Sequence, residues 1–292
     1  MRKLSLTAIG LYISILAAFS QNGQDTAYKS KKLTLEEVNF VSGYYSQDGN
    51  HSAVTGGIGT EKLSDFSNTL ELKLTKYDSR WRKQTYTFEA GIDHYTSASS
   101  DKINPFTISS ASHADTRIYP SVGWTRQNEA RGTTIGLTGS FSMEYDYTSV
   151  GVGALFSKTS KDNNREFSLK AQAYLDRWKV ILPIEMRNVR NPYDDKEEQD
   201  YPSSPRNSYS ASLGLSQVIN RQLHVSLVTE PTYQSGLLAT KYQRVYFTDG
   251  TLKVETLPDT RYKLPIGIRA NYFLGDRFIV RSFYRLYRDN WG

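Results

Sequence analysis

Hydrophobicity alternates with a period of two along most of this chain, and that alternation restricts the fold more than any other feature. Leu70, Leu72 and Leu74 alternate with Glu71, Lys73 and Thr75; Tyr86, Phe88, Ala90 and Ile92 alternate with Thr85, Thr87, Glu89 and Gly91. Successive residues of a strand point to opposite faces, so such segments make sheets with one apolar and one polar face. The same pattern recurs at Ile118–Trp124, Ile135–Met143, Val150–Phe156, Phe167–Leu175, Tyr209–Leu215, Leu223–Leu227, Leu264–Leu274 and Phe278–Leu286. With a less regular first strand at roughly Glu37–Gln47, the chain supplies an odd number of strands, about eleven.

Short turns alternate with long connections. The short set is 78–82, 127–131, 160–164, 220–221 and 275–276. The long set is 95–116, 188–207 and 235–260, the last with a hairpin around Asp249-Gly250. The link at Tyr145–Thr148 belongs to the long side but is short. A soluble sandwich would also use apolar strand faces, but unequal loops and long strands favour a membrane barrel with short periplasmic turns. The expected class is all-β: an antiparallel transmembrane β-barrel, an up-and-down meander. An open edge in lipid leaves backbone groups unpaired, and Arg285–Gly292 ends partway up a strand, so the barrel is expected to be incomplete at its C-terminus.

Residues 1–20 read as a signal peptide: Arg2 and Lys3, then a mainly apolar Leu4–Phe19, then Ala18-Phe19-Ser20 before a cut at Gln21. Residues 21–35 read as a periplasmic lead and 36–292 as the barrel domain. The chain has no cysteine, which excludes disulfides, thiolate metal sites, a cysteine nucleophile and a lipid-modified N-terminal cysteine. Mean hydropathy is −0.55, and no stretch after residue 20 is long enough for a membrane helix; alternation hides the apolar content of a barrel in such an average. Twenty-one Tyr, 12 Phe and 4 Trp suit aromatic girdles. The net charge of +6 is spread without a basic block, so no nucleic-acid partner is expected.

If the apolar faces meet lipid, the opposite faces line the lumen. Candidate lumen residues are Glu71, Lys73, Glu89, Asp93, Arg117, Lys170, Asp176, Glu230, Arg269, Arg281 and Arg285. Both signs are present, so charges can pair across strands. Arginines gather in the last two strands, which reads either as an anion-preferring wall or, more simply, as side chains that fill and neutralise the interior. A serine-rich segment forms the candidate mouth loop: His94, Ser97, Ser99, Ser109, Ser110, Ser112, His113 and Asp115. Ser, His and Asp together raise a rim hydrolase, but there is no nucleophile elbow or fixed spacing. The acidic stretch Asp194–Asp200 lacks the glycine and ligand spacing of a calcium loop and reads as a solvated loop. His51 and His224 match no metal-ligand spacing. No catalytic, cofactor or metal residues are assigned, and no cofactor is expected.

The paired Ser-Ala-Ser segments around Ser97–Ser99 and Ser109–Ser112, the following Asp115-Thr116-Arg117, and Tyr287-Arg288-Asp289-Asn290-Trp291-Gly292 resemble a family of uncharacterised Gram-negative outer-membrane β-barrel proteins catalogued as a domain of unknown function. The resemblance implies an outer-membrane barrel without established activity, with more strands after the segment like Arg288–Gly292. It also implies a setting beside a small lipoprotein, a thioredoxin-like protein and a flavin transferase. No catalytic residues carry over.

The expectation is an outer-membrane protein of structural or passive transport role, its extracellular loops over the mouth. Two alternatives stand beside it: a membrane platform for a lipoprotein or redox-linked periplasmic partner, and a rim hydrolase. Expected partners are outer-membrane lipid, the barrel assembly machinery and a small lipoprotein.

Overall fold

A computed structural model describes residues 30–48, 63–96, 114–179, 203–239, 244–246, 248, 252–254, 258–275 and 277–291. Apart from one 3₁₀ turn, the regular structure of these residues is antiparallel strand. In chain order the strands are β1 (Thr34–Gln47), β2 (Leu63–Tyr77), β3 (Lys83–Thr96), β4 (Ala114–Asn128), β5 (Thr133–Met143), β6 (Tyr147–Thr159), β7 (Arg165–Lys179), β8 (Ser203–Val218), β9 (Leu223–Thr229) and β10 (Thr232–Gly236). Then follow β11 (Arg244–Tyr246), β12 (Leu252–Val254), β13 (Thr260–Leu274) and β14 (Phe278–Asp289). One 12-stranded sheet runs β1-β2-β3-β4-β5-β6-β7-β8-β10-β13-β14, with β9 also between β8 and β13. This is the expected up-and-down meander. β11 and β12 pair only with each other, forming the hairpin that Asp249-Gly250 signals; those two residues lie outside the described set.

β9 and β10 are two halves of one strand. The register with β8 runs without a slip from Leu213–Thr229 to Ser210–Thr232. That with β13 runs likewise from Ile266–Thr229 to Lys263–Thr232. The break is Glu230-Pro231, where proline brings no ladder N–H. Ala211 N–H still donates to the Pro231 carbonyl (3.1 Å) and Glu230 N–H to the Pro265 carbonyl (3.3 Å). The sheet order therefore has eleven positions, the number read from the alternation.

Several boundaries differ from the sequence reading. β1 begins inside the expected lead, and its irregularity is a bulge between Leu35 and Glu37; the extra residue, Glu36, breaks the alternation. β8 starts at Ser203 within the expected loop 188–207, because Ser203–Asn207 pair with β7 despite Pro205. β3 and β4 likewise eat into 95–116, and β10 into 235–260. Glu144–Asp146 joins β5 to β6 in a tight hairpin closed by Glu144 N–H to the Tyr147 carbonyl (2.8 Å). The long-loop side thus includes one short link.

The short turns have identifiable chemistry. Asp78 accepts from the backbone N–H of Arg80 (2.9 Å) and Arg82 (3.0 Å) and from Arg82 Nε (2.7 Å). The Arg82 N–H leads in holding its carboxyl down to about 2. The 3₁₀ turn Glu129–Arg131 ends at Gly132, φ 58°, where an added Cβ would lie 2.5 Å from the Thr159 carbonyl. Asn220 accepts from the N–H groups of Gln222 and Leu223.

Sheet register aligns the faces. One row reads Leu72, Phe88, Val122, Gly139, Val152, Ala173, Tyr209, Tyr233, Tyr262 from β2 to β13. The next residue along each strand faces the other way, giving Lys73, Thr87, Gly123, Thr138, Gly153, Gln172, Ser210, Thr232, Lys263. No second layer covers the apolar face among the described residues. Val122, Leu137 and Val152 are 53%, 56% and 58% exposed, and no large side chain among the described residues is fully buried.

Candidate functional site

The two faces differ in where they keep charge. On the apolar face, the lysines and arginines among the described residues sit at strand ends. Lys76, Arg126, Lys158 and Arg165 are at the end with the short turns; Arg177, Lys179 and Arg288 are at the loop end. Among the described residues, no carboxylate occupies a paired position on this face, and the band between the two ends is uncharged. Aromatic rings accompany the cations: Lys76 Nζ lies 5.4 Å from the Tyr86 ring and the Arg126 guanidinium 5.8 Å from the Trp124 ring. These are the cation–π geometries of an amphipathic interface.

The opposite face is polar, and it holds ten of the eleven candidate lumen residues on strands. Glu71, Lys73, Glu89, Asp93 and Arg117 share it by register on β2–β4, Lys170 and Asp176 on β7, and Arg269, Arg281 and Arg285 on β13–β14. The eleventh, Glu230, lies in the gap between β9 and β10. Lys73 Nζ bridges Glu37 (2.8 Å) and Glu71 (3.0 Å), and Asn39 donates to both carboxylates. Asp93 and Arg117 are register neighbours, yet Tyr119 separates them: its hydroxyl donates to Asp93 (2.9 Å) while Arg117 lies over its ring (4.9 Å). Arg117 turns instead to Ser142 (3.1 Å) and Glu144 (3.6 Å).

Charge on this face is unevenly spread, with Lys73 and Lys83 as the cations of β2–β3 among a majority of acids there. Glu37, Asp65, Glu71, Glu89 and Asp93 stand on β1–β3, whereas Arg261, Lys263, Arg269, Arg281 and Arg285 stand on β13–β14. Asp289 takes up Arg261 in an ion pair, and Arg269 lies 5.1 Å from the Phe283 ring. A cavity of about 530 Å³ near the turn end is lined by His224, Arg269, Asn271 and Arg281. Asn271 Nδ2 meets His224 Nδ1 (3.2 Å) and Ser216 meets Nε2 (2.7 Å), so His224 is a satisfied strand residue.

The mouth residues are only partly placed. Ser97, Ser99, Ser109, Ser110, Ser112 and His113 lie outside the described residues, as do His51 and Asp194–Asp200. His94 Nδ1 contacts Thr116 Oγ1 (2.9 Å) on the apolar face. Asp115 pairs with Tyr95 on the polar face and accepts from the N–H groups of Thr116 and Tyr145. The sheet therefore separates these two members of the serine–histidine–aspartate set.

Two arrangements escaped the sequence reading. Asp176 is buried, accepting from Ser149 Oγ (2.7 Å) and Arg206 Nε (3.3 Å). Arg206 also donates to the Tyr147 hydroxyl (2.7 Å) and lies 5.2 Å from the Trp178 ring. Asp115, Glu144 and Asp146 bring ligand atoms within 4.8 Å of one another at the loop end. Tyr95 donates to Glu144 (2.7 Å) and Arg117 offsets its charge. A period-two reading assigns faces but does not say which acid meets which base.

These features define an antiparallel meander, single-layered among the described residues, with an apolar face and a polar, charged face. The chain belongs to the family described as "Protein of unknown function (DUF3570)", whose model matches residues 78–292. The resemblance to a family catalogued as a domain of unknown function is thereby borne out; the family's description does not extend to a membrane location. No curated protein matches the chain.

Proposed function

We propose that this chain is an outer-membrane β-barrel protein of structural or passive transport role, with its long connections facing outward over the mouth. The observation that carries the reading is the apolar face: an uncharged band, uncovered by any second layer among the described residues, bounded at both ends by lysine and arginine and by aromatic rings. A face of this kind is costly in water at about 25 cal/mol per Å² of apolar surface, and it suits hydrocarbon flanked by lipid phosphates. The polar face then lines the lumen, and its composition sets what passes. Transport is passive, and the cations of β13–β14 favour anions along that wall. In lipid the backbone edges of β1 and β14 each require a hydrogen-bonding partner.

Planar-bilayer recording on the full chain refolded into lipid tests this. Discrete conductance steps with anion over cation permeability are expected, and the preference falls in the double variant Arg269→Gln/Arg281→Gln. Stable insertion without conductance selects the structural role. A chain that is monodisperse in water without detergent overturns the reading.

A further inference from the structure

On the apolar face, at the loop end, two neighbouring rows of side chains make a groove of about 690 Å³. The row nearer the loops is Tyr209, Tyr233, Tyr262. The first two rings are stacked at 6.4 Å with 14° between planes, and the next pair stands at 4.8 Å and 38°. The row beneath begins with Ala211 and Pro231 and rises to Leu264 and Arg288. The floor is low because the ninth strand places a compact proline ring here and alanine opposite it adds only a methyl group.

We propose that this groove binds an anionic phospholipid whose phosphate is not neutralised by a headgroup cation, with one acyl chain along Ala211 and Pro231 beneath the tyrosines and the phosphate on Arg288. The proposal rests on the apolar face meeting lipid. The groove's apolar floor fits hydrocarbon, and its tyrosine row places hydroxyl-bearing rings at the level where a headgroup begins. Arg288 fixes the sign of the ligand. It is exposed, shares this face with no carboxylate at a paired position, and is engaged by no hydrogen bond or ion pair among the described residues. A guanidinium left free beside an apolar trough matches a phosphate in its fork geometry. Asn290, in register with the tyrosine row, accepts from Tyr262 N–H (2.7 Å) through Oδ1, which holds its amide beside the groove.

The test is native mass spectrometry of the full chain in a neutral detergent. The probes are dioctanoyl phosphatidic acid, dioctanoyl phosphatidylcholine and inorganic phosphate, each alone. Phosphatidic acid is expected to bind about tenfold more tightly than phosphatidylcholine, the difference a charge-assisted hydrogen bond makes, and inorganic phosphate not to bind. Arg288→Gln should erase the preference and Arg288→Lys keep part of it. Ala211→Phe should fill the groove and remove both lipids. Arg126→Gln, which alters a cation on the same face at the opposite end, should change neither. Equal retention of both lipids by the native chain overturns the proposal, as does undiminished preference in Arg288→Gln. An equal loss in Arg126→Gln would assign binding to the general belt of cations and also overturn it, and tight inorganic phosphate would remove the lipid. Because the measurement is made in detergent, failure of the chain to enter bilayers sinks the barrel reading without deciding this one.

Discussion

Tyr119 lies directly across Gly91: a Cβ built on Gly91 would sit 2.0 Å from Tyr119 Cε2. The two residues are register partners on the polar face of β3 and β4, and the missing side chain is what lets the ring lie down. From there the Tyr119 hydroxyl reaches Asp93 (2.9 Å) and Thr69 (3.2 Å). Gly91→Ala should displace the ring and break both contacts, destabilising the sheet by about 1–3 kcal/mol. Denaturant titration of the refolded protein measures this. If Gly91→Ala and Tyr119→Phe add independently, the seat does not couple them.

Asp176 is 4% exposed and depends on Arg206. Arg206→Gln leaves that carboxylate with only the neutral hydroxyls of Ser149 and Tyr147 as donors, at a cost of about 3–5 kcal/mol. The double variant Asp176→Asn/Arg206→Gln should cost less than Arg206→Gln alone, because no buried charge is then stranded. A double-mutant cycle by equilibrium unfolding gives the coupling, and a cycle near zero contradicts the pairing.

Asp78 links turn stability to pH. Its carboxyl is depressed from the ordinary 3.8 to about 2 by N–H donors of the turn. A depressed carboxylate contributes stability that is fully present above about pH 3.8 and is lost as pH falls through about 2. The amide resonances of Arg80 and Arg82, both donors to Asp78, should titrate with a midpoint near 2 and stop doing so in Asp78→Asn. A midpoint near the ordinary carboxylate value would refute the capped geometry.

The two faces predict opposite tolerance to charge. Val152 is in the uncharged band of the apolar face; Thr138 is on the polar face between Gly123 and Gly153. Val152→Arg should cost about 2–4 kcal/mol and slow folding into bilayers. Thr138→Arg has room beside two glycines and should fold nearly as the native chain does. Gel-shift assays of bilayer folding compare them, and equal tolerance would argue that the Val152 face meets water.

Much of this architecture could be read from the alternation. Eleven sheet positions, their order and the face of ten candidate lumen residues follow from period two and from turn residues such as Asp78 and Asn220. Proline limited the reading: Pro231 hid the continuation of the ninth strand into β10, and Pro205 hid the start of β8, because a missing N–H ends a local pattern without ending the ladder. The bulge at Glu36 blurred β1 for a related reason. Partners were less legible than faces. That Asp176 meets Arg206, or that Asp115 approaches Glu144 and Asp146, depends on the register between strands distant in sequence. Whether Asp93 bonds Arg117 or Tyr119 is decided by the seat at Gly91, which no single strand discloses.

The interrupted ninth strand gives the wall a seam. On either side of Glu230-Pro231 the ladder is continuous with both neighbours, but at the seam two rungs lack an amide, that of Pro231 opposite Ala211 and that of Pro265 opposite Glu230, and Thr229 Oγ1 adds a donor to the Pro265 carbonyl (2.8 Å). A sheet hinges most easily where a rung is missing, so breathing of this wall should start here. Amide exchange of Thr232 and Tyr233 would then outpace that of Leu227 and Val228, making proline the point from which the wall loosens.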